Sequence, residues 1–314
     1  MFKSLLFSLL FGFLLTSQST LAEVAVTPLR VGVHSYYVLG EAGAASSANE
    51  GYMSNAGFVV TDAGVIVVDT LGTPVLGHKL VEAIRKVTDK PIKRVIVTHY
   101  HADHIYGLQV FKDMGVEIWA NIRGQEYLDS EAAAKLMVER RDALFPWVDE
   151  KSRLVAADRW LSGDTSFEMG GLHFELQHVG PAHAPDDMVM FVKEDSVLYA
   201  GDLIFIGRIP FVGDADSRSW LLAIDKVLTF KPKYMITGHG QASHTPVKDL
   251  VFTRDYLKYI RKVMGKAVAD FVPFAEAYEK ADWSQYVNIP AFNDANRENA
   301  YNTFLLMEKE SLKR

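Results

Sequence analysis

Apolar residues in this chain come in short runs with two different periods, and the order of those runs repeats. Residues 58–69 (FVVTDAGVIVVD) hold two β-branched segments around the turn signal Asp62-Ala63-Gly64, which predicts a hairpin. Thr73 then caps and Pro74 starts a helix whose Leu76, Leu80, Ile84 and Val87 share one stripe. Pro91 ends the connection, and the apolar stretch 94–97 predicts a strand. Residues 191–202 (FVKEDSVLYAGD) open with the same Phe-Val, carry Asp at the same fifth place and close on Asp. A helix over 219–230 and an apolar strand over 234–237 follow. Two copies of a hairpin-helix-strand unit account for the agreement.

The remaining patterns fill in around these units. Residues 29–38 read as one extended segment, and the Gly, Ala and Ser-rich tract 41–49 reads as a mobile loop. Residues 132–149 read as helical, and 166–179 as a hairpin about Gly170-Gly171. Residues 247–280 are helical with a break near Pro273, and Leu305 and Leu306 mark a last helix. The predicted fold class is α/β. Two halves, each a sheet with helices on its outer face, give a four-layer αβ/βα sandwich over residues 23–245, with a C-terminal helical extension over 246–314.

The first 22 residues differ in kind. Lys3, an apolar stretch over 5–15 and small residues up to Ala22 make the pattern of a secretory signal peptide. The stretch is shorter than the roughly 20 apolar residues that span a bilayer, so the expected product is periplasmic or secreted, with no stable membrane insertion. Without Lys3, 32 basic residues face 39 acidic ones. An acidic chain without a basic block is not built for nucleic acid, which leaves a small-molecule substrate as the expected partner. The sequence carries no signal for oligomeric state. The absence of cysteine rules out disulfides, thiolate ligands and thiol nucleophiles, so any metal must be held by histidine and carboxylate.

Candidate ligands sit at the predicted strand ends. After the 94–97 strand comes Thr98-His99-Tyr100-His101-Ala102-Asp103-His104. His99 and His101, two apart, leave the strand on the same side. Asp103 and His104, in the first turn of a following helix, face a second point. His183 lies in a breaker-rich loop after the strand ending at Val179; Asp202 and His239 follow the two strands of the second unit. His99, His101 and His183 would hold one metal, and Asp103, His104 and His239 a second. Asp202 would bridge them, since shared anions offset the repulsion of dications about 3.5–4 Å apart. Asp69, the counterpart of Asp202, is expected to orient a ligating histidine. Such ligands suit zinc, and also iron or manganese. His34, His78, His173, His178 and His244 read as structural or surface residues, His244 being the nearest to an exception.

Asp69, the run 99–104, His183, Asp202 and His239 together resemble the metallo-β-lactamase superfamily over residues 31–244. With Asp202 where lactamases carry cysteine, the ligand set is similar to that of glyoxalase II-type hydrolases. Residues 180–183, 201–217 and 292–301 resemble an exported branch found with sulfur-oxidation (Sox) and quinoprotein systems, described as zinc hydrolases of unsettled substrate. The resemblance implies an exported enzyme with two Zn2+ per chain. A water shared by the metals would act as hydroxide on a small ester, thioester or amide, with catalytic Asp103 holding it and carrying a proton. β-Lactam hydrolysis and a mononuclear iron persulfide dioxygenase are the alternatives, with a non-enzymatic metal-binding protein as a third. Tyr100 and Tyr106 stand beside the motif as candidate oxyanion donors or packing residues. Arg208 is the candidate substrate-facing cation, with an ion pair to Asp214 or Asp216 as the other reading.

Overall fold

The structure is a computed structural model that describes residues 24–213 and 215–313, so the expected leader over 1–22 lies outside the described residues. The first half runs β1 (Pro28–Arg30), β2 (Ser35–Val38), β3 (Ala56–Thr61), β4 (Gly64–Val68), α1 (Pro74–Arg85), β5 (Ile92–Ile96), α2 (Ala102–Ile105) and α3 (Leu108–Asp113). It continues with β6 (Glu117–Asn121), α4 (Gly124–Leu128), α5 (Glu131–Ala143) and β7 (Arg159–Leu161). These seven strands form one sheet in sequence order, antiparallel up to β4 and parallel beyond it. The second half holds β8 (Thr165–Met169), β9 (Leu172–His178), β10 (Met188–Val192), β11 (Val197–Tyr199), α6 (Ser217–Val227) and β12 (Tyr234–Ile236). Its sheet has the order β12-β11-β10-β9-β8, with β11 and β12 parallel.

Alternation within β4 explains the layering. Val65 and Val67 face α1 and α3 with Leu76, Leu80, Ile84 and Phe111, whereas Ile66 and Val68 face the other sheet. All five residues of β4 are buried because both faces are covered, which is why the strand reads as an unbroken apolar run. Between the sheets Ile66, Ile96 and Trp119 meet Phe174, Met190 and Tyr199. Outside the second sheet Leu198 and Met235 pack on Trp220 and Ile224 of α6. Helix, sheet, sheet, helix is the predicted four-layer sandwich, and the duplicated unit is real at this level. In each half a hairpin leads through one helix to a parallel strand.

The C-terminal helices α7 (Pro246–Ala269), α8 (Phe274–Lys280) and α9 (Phe292–Ser311) follow β12. Leu250, Tyr256, Leu257 and Ile260 of α7 and Ala295 of α9 enter the same cluster as Trp220, so the extension shares the core of the second half. Among the described residues no helix is long and apolar enough to cross a membrane.

Three expectations change. Residues 29–38 form two short antiparallel strands around a bend, held by Asp195, whose carboxylate accepts from the Val33 and His34 amides (3.0 and 2.8 Å). The tract 41–49 is tethered rather than free: Asn49 accepts from the Ser46 amide (2.9 Å), and the Trp147 ring donates to the Ser47 carbonyl (2.7 Å). Its polar side chains and a partner 100 residues away supply what its low apolar content does not. The helix predicted over 132–149 stops at Ala143, because Pro146 cannot continue it and disfavours helical backbone at Phe145.

Candidate metal centre

All seven predicted residues meet at one edge of the sandwich, where the chain leaves β4, β5, β9, β11 and β12. His99 lies three residues beyond the end of β5, and His101 is the N-cap of α2, which places Asp103 and His104 in that helix's only turn. Asp202 lies in a single 3-10 turn (Gly201–Leu203) after β11, and His239 follows β12. Gly238 allows the two chain segments to close, since a Cβ there would sit 1.8 Å from Asp202 Oδ1.

Three overlapping groups bring their ligand atoms within 4.8 Å of one another: His99, His101 and His183; His99, His104 and Asp202; Asp103, His104 and His239. His101 Nδ1 faces His183 Nε2 at 2.9 Å. Asp202 Oδ2 lies 3.4 Å from His183 Nε2, 3.2 Å from His239 Nε2 and 4.0 Å from His99 Nε2, and its Oδ1 is 3.1 Å from His104 Nε2. Asp202 is thus the shared carboxylate between the two expected groups. Asp103 Oδ2 is 3.2 Å from His239 Nε2 and 3.6 Å from His104 Nε2.

The ring orientations are set from behind. His104 Nδ1 donates to Asp69 Oδ2 (2.9 Å), as predicted for Asp69. Thr98 Oγ1 donates to the same oxygen (2.7 Å) and so can only accept from His99 Nδ1 (3.0 Å). His239 Nδ1 donates to the Met53 carbonyl (2.7 Å). In all three rings the outer nitrogen is engaged as a donor, which aims Nε2 inward and, in the neutral ring, leaves its lone pair for a metal.

Buried but unsatisfied atoms then test the fit. His99 Nε2, His104 Nε2 and Asp202 Oδ1 are buried and complete no hydrogen bond. Five histidines and two carboxylates converge here, and these three unpaired atoms show that hydrogen bonding among themselves leaves the cluster incomplete, which matches a divalent cation. Burial drives His99 well down and His183 down to about 3, the latter against the pull of Asp202. His104 and His239 go the other way: burial disfavours their charged forms, but Asp202 and Asp103 outweigh it. Burial likewise disfavours the charged Asp103, yet the neighbouring His104 and His239 hold its carboxyl below the usual range. Two carboxylates here demand positive charge.

A cavity of about 750 Å³ lies over the cluster. His101, Asp103, His183, Asp202 and His239 line its floor, and Tyr127, Arg140, Phe211, Val212 and Asp294 contribute walls.

The metallo-beta-lactamase superfamily model matches residues 49–239, from just ahead of β3 to the last histidine of the cluster. The chain belongs to the metallo-beta-lactamase superfamily. Among its relatives, the linear primary-alkylsulfatase of Pseudomonas sp. is 27% identical over 63% of this chain. The chain spans only 44% of that protein's length. Metallo-beta-lactamase type 2 of Elizabethkingia meningoseptica is 26% identical over 60% of this chain and 69% of its own. The hydroxyacylglutathione hydrolase GloC of Haemophilus influenzae is 28% identical over 52% and 75%. The sec-alkylsulfatase Pisa1 of Pseudomonas sp. has the same fold over 90% of this chain and 50% of its own, with a TM-score of 0.68 at 17% identity.

Other candidates resolve differently. Tyr100 and Tyr106 are packing residues; the Tyr100 hydroxyl donates to the Val155 carbonyl (3.1 Å), away from the cluster. Arg208 is not the cavity cation. It is buried against Gly43 and His239 (3.3 and 3.4 Å), and Asp216 is occupied capping α6, while Asp214 lies outside the described residues. His244 stacks edge-on against Tyr234 and joins no cluster. Met53, whose carbonyl orients His239, and Tyr127 and Arg140 carried no sequence signal, because backbone carbonyls have no residue type and the two side chains lie on a distant helical pair.

Proposed function

We propose that the protein is an exported zinc hydrolase that holds two zinc ions per chain and acts on small esters, thioesters or amides. The observation that carries this reading is the convergence of five histidines and two aspartates whose ligand-type atoms face one another beneath an open cavity. His99, His101 and His183 would hold one ion and Asp103, His104 and His239 the other, with Asp202 reaching both. When bound, such a pair acidifies water to give a nucleophile near neutral pH and polarises the scissile oxygen.

The protein's own contribution is orientation and proton handling. Asp69, Thr98 and Met53 fix three imidazoles, so little rearrangement accompanies loading. Exposure separates the carboxylates: the side chain of Asp103 is 18% accessible and that of Asp202 4%, so substrate reaches Asp103. Asp103 Oδ2 receives the proton released in the attack and returns it to the leaving group. No Ser or Cys nucleophile is needed.

The alkylsulfatase and lactamase relatives place sulfate esters and β-lactams on the same panel as carboxylic esters and thioesters. Alanine at His101 or at Asp202 is expected to abolish turnover of every substrate the wild type cleaves while the far-UV spectrum is retained. Full activity in either variant contradicts the reading.

A further inference from the structure

One wall of the cavity comes from α4 and α5, inserted between β6 and β7, and it carries a guanidinium with no anionic partner. Tyr127, Leu136 and Arg140 line the cavity there. Behind them the hydroxyls of Tyr106 and Tyr127 are buried and complete no hydrogen bond, although each influences the other's ionisation. The positive charge of Arg140 is felt at both. Arg140 is half-buried, and among the described residues no carboxylate or carbonyl accepts from its guanidinium. The other arginine on the cavity, Arg123, is already taken: Glu126 accepts from it at 2.9 and 3.1 Å, and the Pro185 carbonyl at 3.2 Å. The nearest acidic neighbour on α5, Glu139, pairs with Lys135 (3.7 Å).

A partly desolvated guanidinium with five donors needs acceptors, and no carboxylate or carbonyl of this wall accepts from it. The cavity is the side from which an anionic partner can reach it. The Tyr127 ring lies 6.4 Å from that of His101, so Arg140 stands beyond one side chain from the metal ligands, a short molecule's reach. Guanidinium pairs best with a planar, two-oxygen anion. We propose that Arg140 is a specificity-determining residue that binds an anionic group on the part of the substrate remote from the scissile bond. On the hydrolase reading above, the substrate is then a small ester, thioester or amide carrying a second, negatively charged end such as a carboxylate.

The test uses the zinc-loaded full-length protein and 4-nitrophenyl half-esters of succinic, glutaric, adipic and pimelic acids, each beside a neutral methyl-ended ester of equal length. For the wild type, the ratio of kcat/KM for the charged ester to that for the neutral one should pass through a maximum at one chain length. Arg140→Ala should lower that ratio about tenfold or more, through KM, and Arg140→Glu should shift preference to an ammonium-ended ester. A ratio unchanged in Arg140→Ala overturns the proposal. If the wild type cleaves none of these esters, the hydrolase reading fails on that class and calorimetry decides about Arg140. Adipate binding about tenfold weaker in Arg140→Ala than in wild type, with adipamide unaffected, supports the subsite. Equal adipate binding overturns it.

Discussion

Asp69 shows how much of this site is set by residues that never face the cavity. Its backbone is left-handed (φ 58°), an uncommon conformation for a side-chain-bearing residue, and its carboxylate accepts from Thr98 N, Thr98 Oγ1 and His104 Nδ1. One carboxylate therefore orients His104 directly and His99 through Thr98. Replacing Thr98 by Val removes only the relay to His99. Zinc affinity, measured by competition with a chromophoric chelator, is expected to fall roughly 10–100-fold with little change in the circular dichroism spectrum. Asp186 offers a pH test. It accepts from the Tyr100 amide (2.9 Å), and burial pushes its carboxyl up to about 7. The unfolded chain ionises this group near 3.9, so between about pH 4 and pH 7 the unfolded state loses its proton first, and the folded state loses stability as pH rises. Asp186→Asn keeps an acceptor for Tyr100 and removes that term. Urea unfolding should show the variant gaining on wild type from pH 5 to pH 8, by about 1–4 kcal/mol at the upper end. At this scale the contiguous ligands were legible, because H-x-H-x-D-H concentrates donors after one strand. The Met53 carbonyl was not, and Arg208 was misassigned because its burial depends on residues far away in the chain.

At the scale of elements, the strand ends carry the site and the C-terminal helices hold its wall. Asn299 of α9 clasps the segment lining the cavity: its Nδ2 donates to the Pro210 carbonyl (2.6 Å), and its Oδ1 accepts from the Val212 amide (2.8 Å). The Tyr256 hydroxyl of α7 lies 2.9 Å from the same Nδ2. Ala at Asn299 leaves a buried amide and a buried carbonyl unpaired, at a cost of roughly 1–3 kcal/mol each in denaturant unfolding. Because Phe211 and Val212 line the cavity, KM should rise as well. The hairpin-helix-strand units were readable from two periodicities that agree with both propensity and turn chemistry. The bend within 28–38 was not, since the Asp195 carboxylate that pins it comes from the other half. Helix α9 begins at Phe292, well before the two leucines that signalled it; Ala295, Asn296 and Asn299 are buried there by contact with α7 and the 208–212 segment, not by an apolar stripe.

For the whole molecule, the two halves meet twice, in the core between the sheets and at the candidate metal centre. His99, His101, Asp103 and His104 come from the first half; His183, Asp202 and His239 come from the second. The repeated order of elements and the matched positions of Asp69 and Asp202 made that convergence legible in the sequence. The substrate was not legible, because the cavity walls are drawn from α4, α5, the 208–217 segment and α9, which no single pattern links. Metal content is the most direct test of the central claim. Protein purified in its folded, unchelated form from cells grown with both zinc and iron should contain two zinc ions per chain by inductively coupled plasma mass spectrometry, falling to one or fewer in His101→Ala. One iron and no zinc per chain would contradict the account.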